Sequence, residues 1–363
     1  MDGSYFFAAD RGKRGRLPRL TSLADESYQE FAEGLRNWNL HGYFRQAVAP
    51  KAVMACKAAG MADVVPLTDG PKVAEIVDKI PAAQVAKRLM RSQQQMTWRN
   101  IRDSFYKRKD ELLAELDRAE KTHPERLKLK KGMNIPDWAA HEIHLQPGGY
   151  VDDPLGGYVY HYGTKVFFQG INDQDDLHEK CAALMAPPKD GKVKRILDIG
   201  CSIGQFATAM KARFPDAEVH AIDVGEPMVR YAHKRALDMG LDVTFHQGLI
   251  ESAGFPDDYF DMVTSFIVFH EMPPEISKQI FQEVRRMLRP GGTFGIVDFP
   301  SMPMAPPLSA YFVDFDHRDN GEPFTVPFMM SDFPGSLQRA GFTIESGPPT
   351  FAFLETRVCT NNK

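Results

Sequence analysis

The sequence predicts an α/β fold: a mostly parallel sheet over the C-terminal half, ended by an antiparallel hairpin and preceded by a mainly helical N-terminal region. Three observations carry this. From about Val193 onward, short apolar runs typical of buried strands alternate with segments of helical periodicity, the pattern of a parallel sheet covered by helices on both faces. The last two strand-like runs, GFTIES (341–346) and FAFLETRV (351–358), are separated by only four residues, too few for a crossover and suited to a hairpin. Ahead of Pro136 the signals are helical instead.

From the N-terminus, residues 1–22 contain a basic tract from Arg11 to Arg19 with little to bury, and are expected to form a disordered basic tail. Residues 23–140 read as a helical domain, serving as a substrate cap or a dimerisation surface. In SYQEFAEGLRNWNLHGYF, Tyr28, Phe31, Leu35 and Trp38 recur at helical spacing, and Pro50, Pro66, Pro71 and Pro81 punctuate the chain beyond it. Residues 85–131 hold fourteen Lys or Arg against seven Asp or Glu. The acids are interleaved, with Lys107 and Glu111, and Asp117 and Lys121, at i,i+4 spacing, so a solvated helical face is favoured over a nucleic-acid track. Residues 141–192 read as linker and lid, because 141–170 is rich in Gly and aromatics and too irregular for a helix. Residues 193–363 form the α/β domain: RILDIG (195–200), EVHAID (218–223), VTFHQG (243–248), DMVTSF (261–266) and TFGIVDF (293–299) are its strands. Ile203, Phe206, Ala207, Met210 and Phe214 mark a helix after the first strand. Pro227 and Gly240 bracket the next, and a third runs from Pro274 to Leu288.

Composition removes several functions. With a formal net charge of −4 and a pI near 6.3, no global positive field draws nucleic acid or an anionic membrane. Cys56, Cys181, Cys201 and Cys359 are too scattered for a disulfide framework, which sets a reducing, cytoplasmic location as the expectation. The N-terminus has no apolar core of a signal peptide, and no apolar run is long enough to span a bilayer. Histidines and carboxylates show no metal-ligand spacing, so no metal is expected.

The stretch LDIGCSIGQF (197–206) contains two signatures. Gly200 to Gly204 fits G-x-S-x-G, the strand-to-helix elbow that presents a nucleophilic serine, here Ser202. Gln146-Pro147-Gly148-Gly149 upstream would serve as an oxyanion loop, and His270 or His317 downstream as the base. In the other reading, Asp198 precedes a small-residue turn that lets backbone approach a cofactor, and a carboxylate should close the second strand to take ribose hydroxyls. Asp223 stands there, 25 residues after Asp198.

LDIGCSIGQF, AIDVGEPMVRYA, FPDDYFDMVTSFIVFHEMP and LRPGGTFGIVDF, in this order and spacing, resemble the class I S-adenosylmethionine-dependent methyltransferases over roughly residues 145–363. The resemblance implies a Rossmann-like, seven-stranded, mostly parallel sheet whose C-terminal hairpin reverses one strand, with S-adenosyl-L-methionine as cofactor. It implies that Asp198, Gly200, Ser202 and Gly204 shape the wall near the amino acid part of the cofactor, Ser202 standing where many relatives have glycine. Asp223 should accept both ribose hydroxyls. Relatives commonly have Gly-Asp after the third strand; here Gly248 is followed by Leu249-Ile250-Glu251, so adenine contact is expected at Ile250 and Glu251. Phe266 and Tyr162 are expected against the cofactor, Tyr162 as part of a lid with Tyr158, Tyr160, His161 and Lys165. His270 and Glu271, directly after the fourth strand, are the catalytic candidates. His270 would act as general base or merely as pocket wall, and Glu271 as an acid–base group or a helix-start carboxylate.

The position after the fourth strand reads Phe269-His270-Glu271-Met272, not the Asn/Asp-Pro-Pro-aromatic tetrad of relatives that methylate adenine or glutamine. HEMPPEISKQIFQEVRRMLRPGG most resembles enzymes of quinone, sterol and natural-product methylation, which implies a small, apolar acceptor methylated at oxygen or carbon. Residues 301–334, rich in Pro, Met and Phe, would line its pocket or fill the core. RNA methylation through 85–131, a non-catalytic cofactor-binding scaffold and the Ser202 hydrolase are the competing readings. A homodimer is compatible with the extra helices.

Overall fold

The computed structural model describes residues 15–346 and 354–363. The expected basic tail divides at that boundary: residues 1–14 lie outside the described residues, whereas the chain from Gly15 packs. Leu20 is fully buried in a cluster with Trp98, Ile101 and Tyr158, and Arg16 bridges Asp175 and Glu179 at 2.8 and 2.9 Å. A leucine with apolar partners and an arginine with two carboxylates order a stretch that composition alone reads as disordered.

Helix α1 (Leu23–Asn37) starts where the Ser22 hydroxyl accepts the Asp25 N–H at 3.1 Å, and runs through a wide π-helical stretch (Trp38–Val48) into α2 (Ala49–Ala58). Its apolar stripe does not make its core contacts. Phe31 and Trp38 are 60% and 52% exposed, while Glu26, Gln29, Ala32 and Asn39 are buried. The inward polar groups are satisfied individually: Gln29 donates to the Thr97 carbonyl at 3.1 Å and Asn39 to that of Ala86 at 2.9 Å.

The short strand β1 (Val65–Pro66) leads to α3 (Gly70–Val77), the long α4 (Pro81–Tyr106) and α5 (Lys109–Lys121). Here the cations find other partners than the i,i+4 acids expected: Lys107 meets Asp25 at 3.1 Å, Arg108 meets Glu111, and Asp117 meets Arg230 at 2.9 Å. Strand β2 (Leu127–Lys128) comes next. Within the expected linker lies a regular helix, α6 (Gly156–Phe167), most of it buried. Its glycines reflect close packing rather than irregularity, since a Cβ on Gly163 would fall 2.2 Å from the Trp98 ring and one on Gly157 2.3 Å from Tyr231. Helix α7 (Asp176–Leu184) precedes the sheet proper.

That sheet is built from β3 (Arg195–Ile199), α8 (Gln205–Arg213), β4 (Glu218–Asp223), α9 (Glu226–Asp238), β5 (Val243–Gln247), β6 (Phe260–Phe266), α10 (Pro274–Met287) and β7 (Leu288–Asp298). Strand β8 (Met304–Ala305) pairs antiparallel with β1, and α11 (Pro307–Asp319), α12 (Thr325–Met330) and α13 (Phe333–Arg339) come after it. Strands β9 (Phe342–Ser346) and β10 (Glu355–Asn361) complete the order β2-β5-β4-β3-β6-β7-β10-β9. Every pairing is parallel except those of β10 with β7 and β9, so one strand is reversed, as expected; the two-residue β2 extends the seven strands at one edge. Residues 347–353, between β9 and β10, lie outside the described residues. The chain begins the sheet in its middle, runs outward from β3 to β5, then returns to β6 on the other side. That reversal opens a crevice beyond the carboxyl ends of β3, β4 and β6. Residues 44–86 share one apolar core with α10 to α13, so the helical region is fused to the sheet's edge. No helix among the described residues is long and apolar enough to cross a membrane.

Candidate functional site

A cavity of about 470 Å³ opens at that crevice, and its wall near β3 and β4 is made largely by backbone. Gly200 adopts φ +63°, and a Cβ there would stand 2.3 Å from a Val268 methyl. No other residue type fits both the conformation and the space. Ser202 holds φ +46°, a strained region for a residue with a side chain. Its N–H donates to Asp223 Oδ2 at 2.8 Å, and the Gly225 N–H donates to Asp223 Oδ1 at 2.9 Å. One carboxylate thereby ties two turns together and is fixed at the cavity wall. Burial, reinforced by Glu271 and opposed by these backbone donors, raises the Asp223 pKa to about 6.

Eight of the expected site residues line this one cavity: Gly200, Ser202, Asp223, Ile250, Glu251, Phe266, His270 and Glu271. Three do not. Asp198 is buried beneath the turn, accepting the Thr264 hydroxyl at 3.0 Å, and burial raises its pKa to about 8, so it is a neutral acid at pH 7. Gly204 packs below the turn against Phe245. Tyr162 is fully buried in the core with Phe105. Two residues along a helix is a rotation of about 200°, so Tyr160, with Thr164 one turn further, faces the cavity in its place.

On the side of β6 and β7 the wall is made of side chains. His270 Nδ1 donates to Asp298 Oδ1 at 2.8 Å, and the fully buried Asp298 also accepts the N–H groups of Phe269 at 2.8 Å, Val268 at 3.2 Å and Phe299 at 2.8 Å. Four donors thereby fix the orientation of this carboxylate. Burial alone would lower the His270 pKa, but Asp298, with Glu322 and Glu271 nearby, outweighs it and raises it to about 9. Glu271 receives the Tyr150 hydroxyl at 3.3 Å and lies 3.5 Å from His144 Nε2, whose Nδ1 pairs with Glu322 at 2.6 Å. His144 itself sits at φ +54°, its carbonyl held by the Trp98 indole at 2.7 Å and the Gln94 amide at 3.0 Å. Burial opposes its protonation, yet Glu322 and Glu271 raise its pKa to about 10.

Asp298, His144, Glu322 and Tyr150 were not singled out from sequence. A signal existed for Asp298: it ends the strand expected beside DMVTSF, hence lies level with His270. None existed for His144 and Glu322, which distant loops bring together. The hydrolase reading fails on geometry, because no histidine among the described residues is hydrogen-bonded to the Ser202 hydroxyl. The His270 ring is bound to Asp298 instead, and that of His317 to the Glu322 carbonyl at 3.0 Å.

The glycine cradle, the carboxylate closing β4 and the apolar wall of Ile250 and Phe266 fit a nucleoside cofactor with free ribose hydroxyls. Known proteins agree with that fit. A methyltransferase domain model matches residues 196–292. The chain is 36% identical over 110 residues to a demethylmenaquinone methyltransferase of Thermus thermophilus, covering 30% of this chain and 49% of that one. It is 31% identical over 155 residues to the 27-O-demethylrifamycin SV methyltransferase of Amycolatopsis mediterranei, covering 42% and 55%. Over 154 residues it is 30% identical to an uncharacterized methyltransferase of Synechocystis, covering 42% and 68%. The chain thus spans about half the length of the first two relatives and two thirds of the third. Fold, cavity and these likenesses converge: the chain belongs to the class I S-adenosylmethionine-dependent methyltransferases.

Proposed function

We propose that this protein methylates a small organic acceptor bearing an ionisable hydroxyl, at that oxygen or at a carbon the oxygen activates. The observation that carries the reading is the meeting, in one cavity, of the Asp223 and Gly200 wall with the His270–Asp298 pair and Glu271. The relatives' names include one quinone-type acceptor and one O-methylated natural product, and an ionised hydroxyl serves both kinds of transfer.

Gly200, Asp223, Ile250 and Phe266 would hold S-adenosylmethionine. When bound, the cofactor would supply an electrophilic methyl on a sulfonium for transfer to the acceptor. The chain's task is positioning and proton management, and positioning alone is worth about 7–11 kcal/mol in favourable systems. His270, held charged by Asp298 up to about pH 9, donates to the acceptor oxygen and stabilises its anion rather than taking its proton. Glu271, fixed by Tyr150 and His144, receives the proton. Tyr160, Thr164 and Phe167 on α6 wall the cavity from water.

The free, buried cysteines suit the cytoplasmic setting expected from the sequence. The outward face of α1, with Phe31 and Trp38, is where a homodimer would form. The test is the melting temperature with S-adenosylhomocysteine, where a concentration about 100 times the dissociation constant stabilises by about 2.7 kcal/mol. It is followed by transfer of a labelled methyl group to a panel of phenols and quinols. A wild-type protein that neither shifts nor binds overturns the reading.

A further inference from the structure

Resting on the methyltransferase reading, we propose that the acceptor carries a zwitterionic head of the α-amino-acid type, gripped by Arg36 and Asp316 beyond the reacting centre. Both residues line the same cavity, and each is charged and short of partners there. Arg36 reaches in from α1. Its position is fixed by one hydrogen bond, Nη1 to the Gln94 side chain at 3.2 Å, and by packing over the Phe167 ring at 5.7 Å, while its Nε is buried with no partner among the described residues. The Gln94 that holds Arg36 is the same residue that holds the strained His144 carbonyl, so the guanidinium and the His144–Glu271–Glu322 cluster share one support.

Asp316 comes from α11, with Asn320 one turn later on the same cavity-facing side. No hydrogen bond or ion pair joins its carboxylate to any described residue; Arg318 and Arg91, nearby in sequence or space, are taken by Asp314 and Asp319. The two facing charges come no closer than the 4.0 Å of a direct ion pair. Burial, with Glu322 adding, raises the Asp316 pKa to about 6, against the pull of Arg36, His144 and His270. Asp316 is exposed to the open cavity and Arg36 is half-buried there with its Nε buried and unpartnered, so an anion and a cation stand along one cavity wall for a ligand that completes them. A group with an ammonium for Asp316 and a carboxylate for Arg36 does so, and a purely apolar acceptor leaves both unpaired.

The acceptor, rather than the methionine end of the cofactor, is assigned to this subsite because α11 follows β7, on the far side of β6 from Gly200 and Asp223. Along the cavity, Asp223 feels Glu271, Glu271 meets His144, His144 pairs with Glu322, and Glu322 in turn acts on Asp316.

The test uses the full chain saturated with S-adenosylhomocysteine and three ligands with one phenol body: L-tyrosine, tyramine, which lacks the carboxylate, and 3-(4-hydroxyphenyl)propionate, which lacks the amine. By calorimetry L-tyrosine is expected to bind at least about tenfold more tightly than either, the effect of one charge-assisted hydrogen bond. Arg36→Gln should erase its advantage over tyramine, and Asp316→Asn its advantage over the propionate, with S-adenosylhomocysteine affinity kept in both variants. Equal binding of the three ligands, no binding by any of them, or variants that loosen S-adenosylhomocysteine about tenfold would overturn the assignment. Failure of the wild type to bind S-adenosylhomocysteine strikes the underlying reading instead, so the two failures are told apart.

Discussion

The two sides of the cavity are built by different means. The side near β3 and β4 is a backbone construction, with tight turns after parallel strands, a glycine no Cβ can replace, and a carboxylate that two amide N–H groups pin in place. Its residues lie within a short stretch of chain, from Gly200 to Phe266. The other side is a side-chain construction. Arg36, the His144–Tyr150 loop, Asp298 at the end of β7, and Asp316 with Glu322 around the end of α11 come from four separate segments, and ion pairs and buried hydrogen bonds such as His144–Glu322 and His270–Asp298 fix much of this side. In the proposed function the first side holds the cofactor and the second side holds the acceptor. Substitutions should therefore separate cleanly into those that move cofactor affinity and those that move turnover.

The largest effect should fall on the acceptor side. His270→Gln removes the charged donor to the acceptor oxygen and is expected to lower kcat about 10²–10⁴-fold, the usual range for such a group. Calorimetric affinity for S-adenosylhomocysteine should stay at the wild-type value. Next comes Asp223→Asn, which weakens two charge-assisted hydrogen bonds of about 1.5–3 kcal/mol each and should cost cofactor affinity about a hundredfold. Gly200→Ala should lower the melting temperature as well as affinity, because the added methyl meets Val268 at 2.3 Å in a strained conformation costing about 1–3 kcal/mol.

Acidity should part the two sides more gently. Cofactor binding needs Asp223 ionised, so affinity should hold above about pH 6 and fall as pH drops through it. In the proposed mechanism His270 acts in its protonated form, so kcat should hold below about pH 9 and fall as pH rises past it. The folded-state pKa of His270 exceeds its ordinary 6.5, so the His270–Asp298 pair stabilises the fold fully below that value and loses the contribution as pH climbs through about 9. The smallest effect belongs to Asp198→Asn. Since Asp198 is already neutral at pH 7 and off the cavity, the near-isosteric amide should leave affinity within about threefold of wild type, read by the same titration.

Legibility in the sequence divides along the same line. Asp223, Gly200 and the reversed strand were readable because local backbone rules place them: an acid at a strand end, a small residue in a tight turn, a loop too short for a crossover. Tyr160 and Tyr162 are both expected in the lid, and only Tyr160 lines the cavity, because a lid segment without an assigned helix has no phase, whereas on α6 residues two apart point to different faces. The same Gly-rich composition hid α6 itself, since the partners that demand those glycines, Trp98 and Tyr231, are remote in sequence. Along α1 and the π-helical stretch after it, Gln29 and Asn39 are buried while Phe31 and Trp38 are exposed, because each amide meets a hydrogen-bond partner in the interior, which periodicity does not register. His144, Glu322, Arg36 and Asp316 leave no local trace at all; only the fold brings them together.

The division between the two sides is tested most sharply by a pair of calorimetric titrations with S-adenosylhomocysteine, on Asp223→Asn and on His270→Gln, beside the wild type. Binding should be about a hundredfold weaker in the first variant and at the wild-type value in the second. Comparable losses in both variants, or unchanged binding in Asp223→Asn, would show that no such division exists.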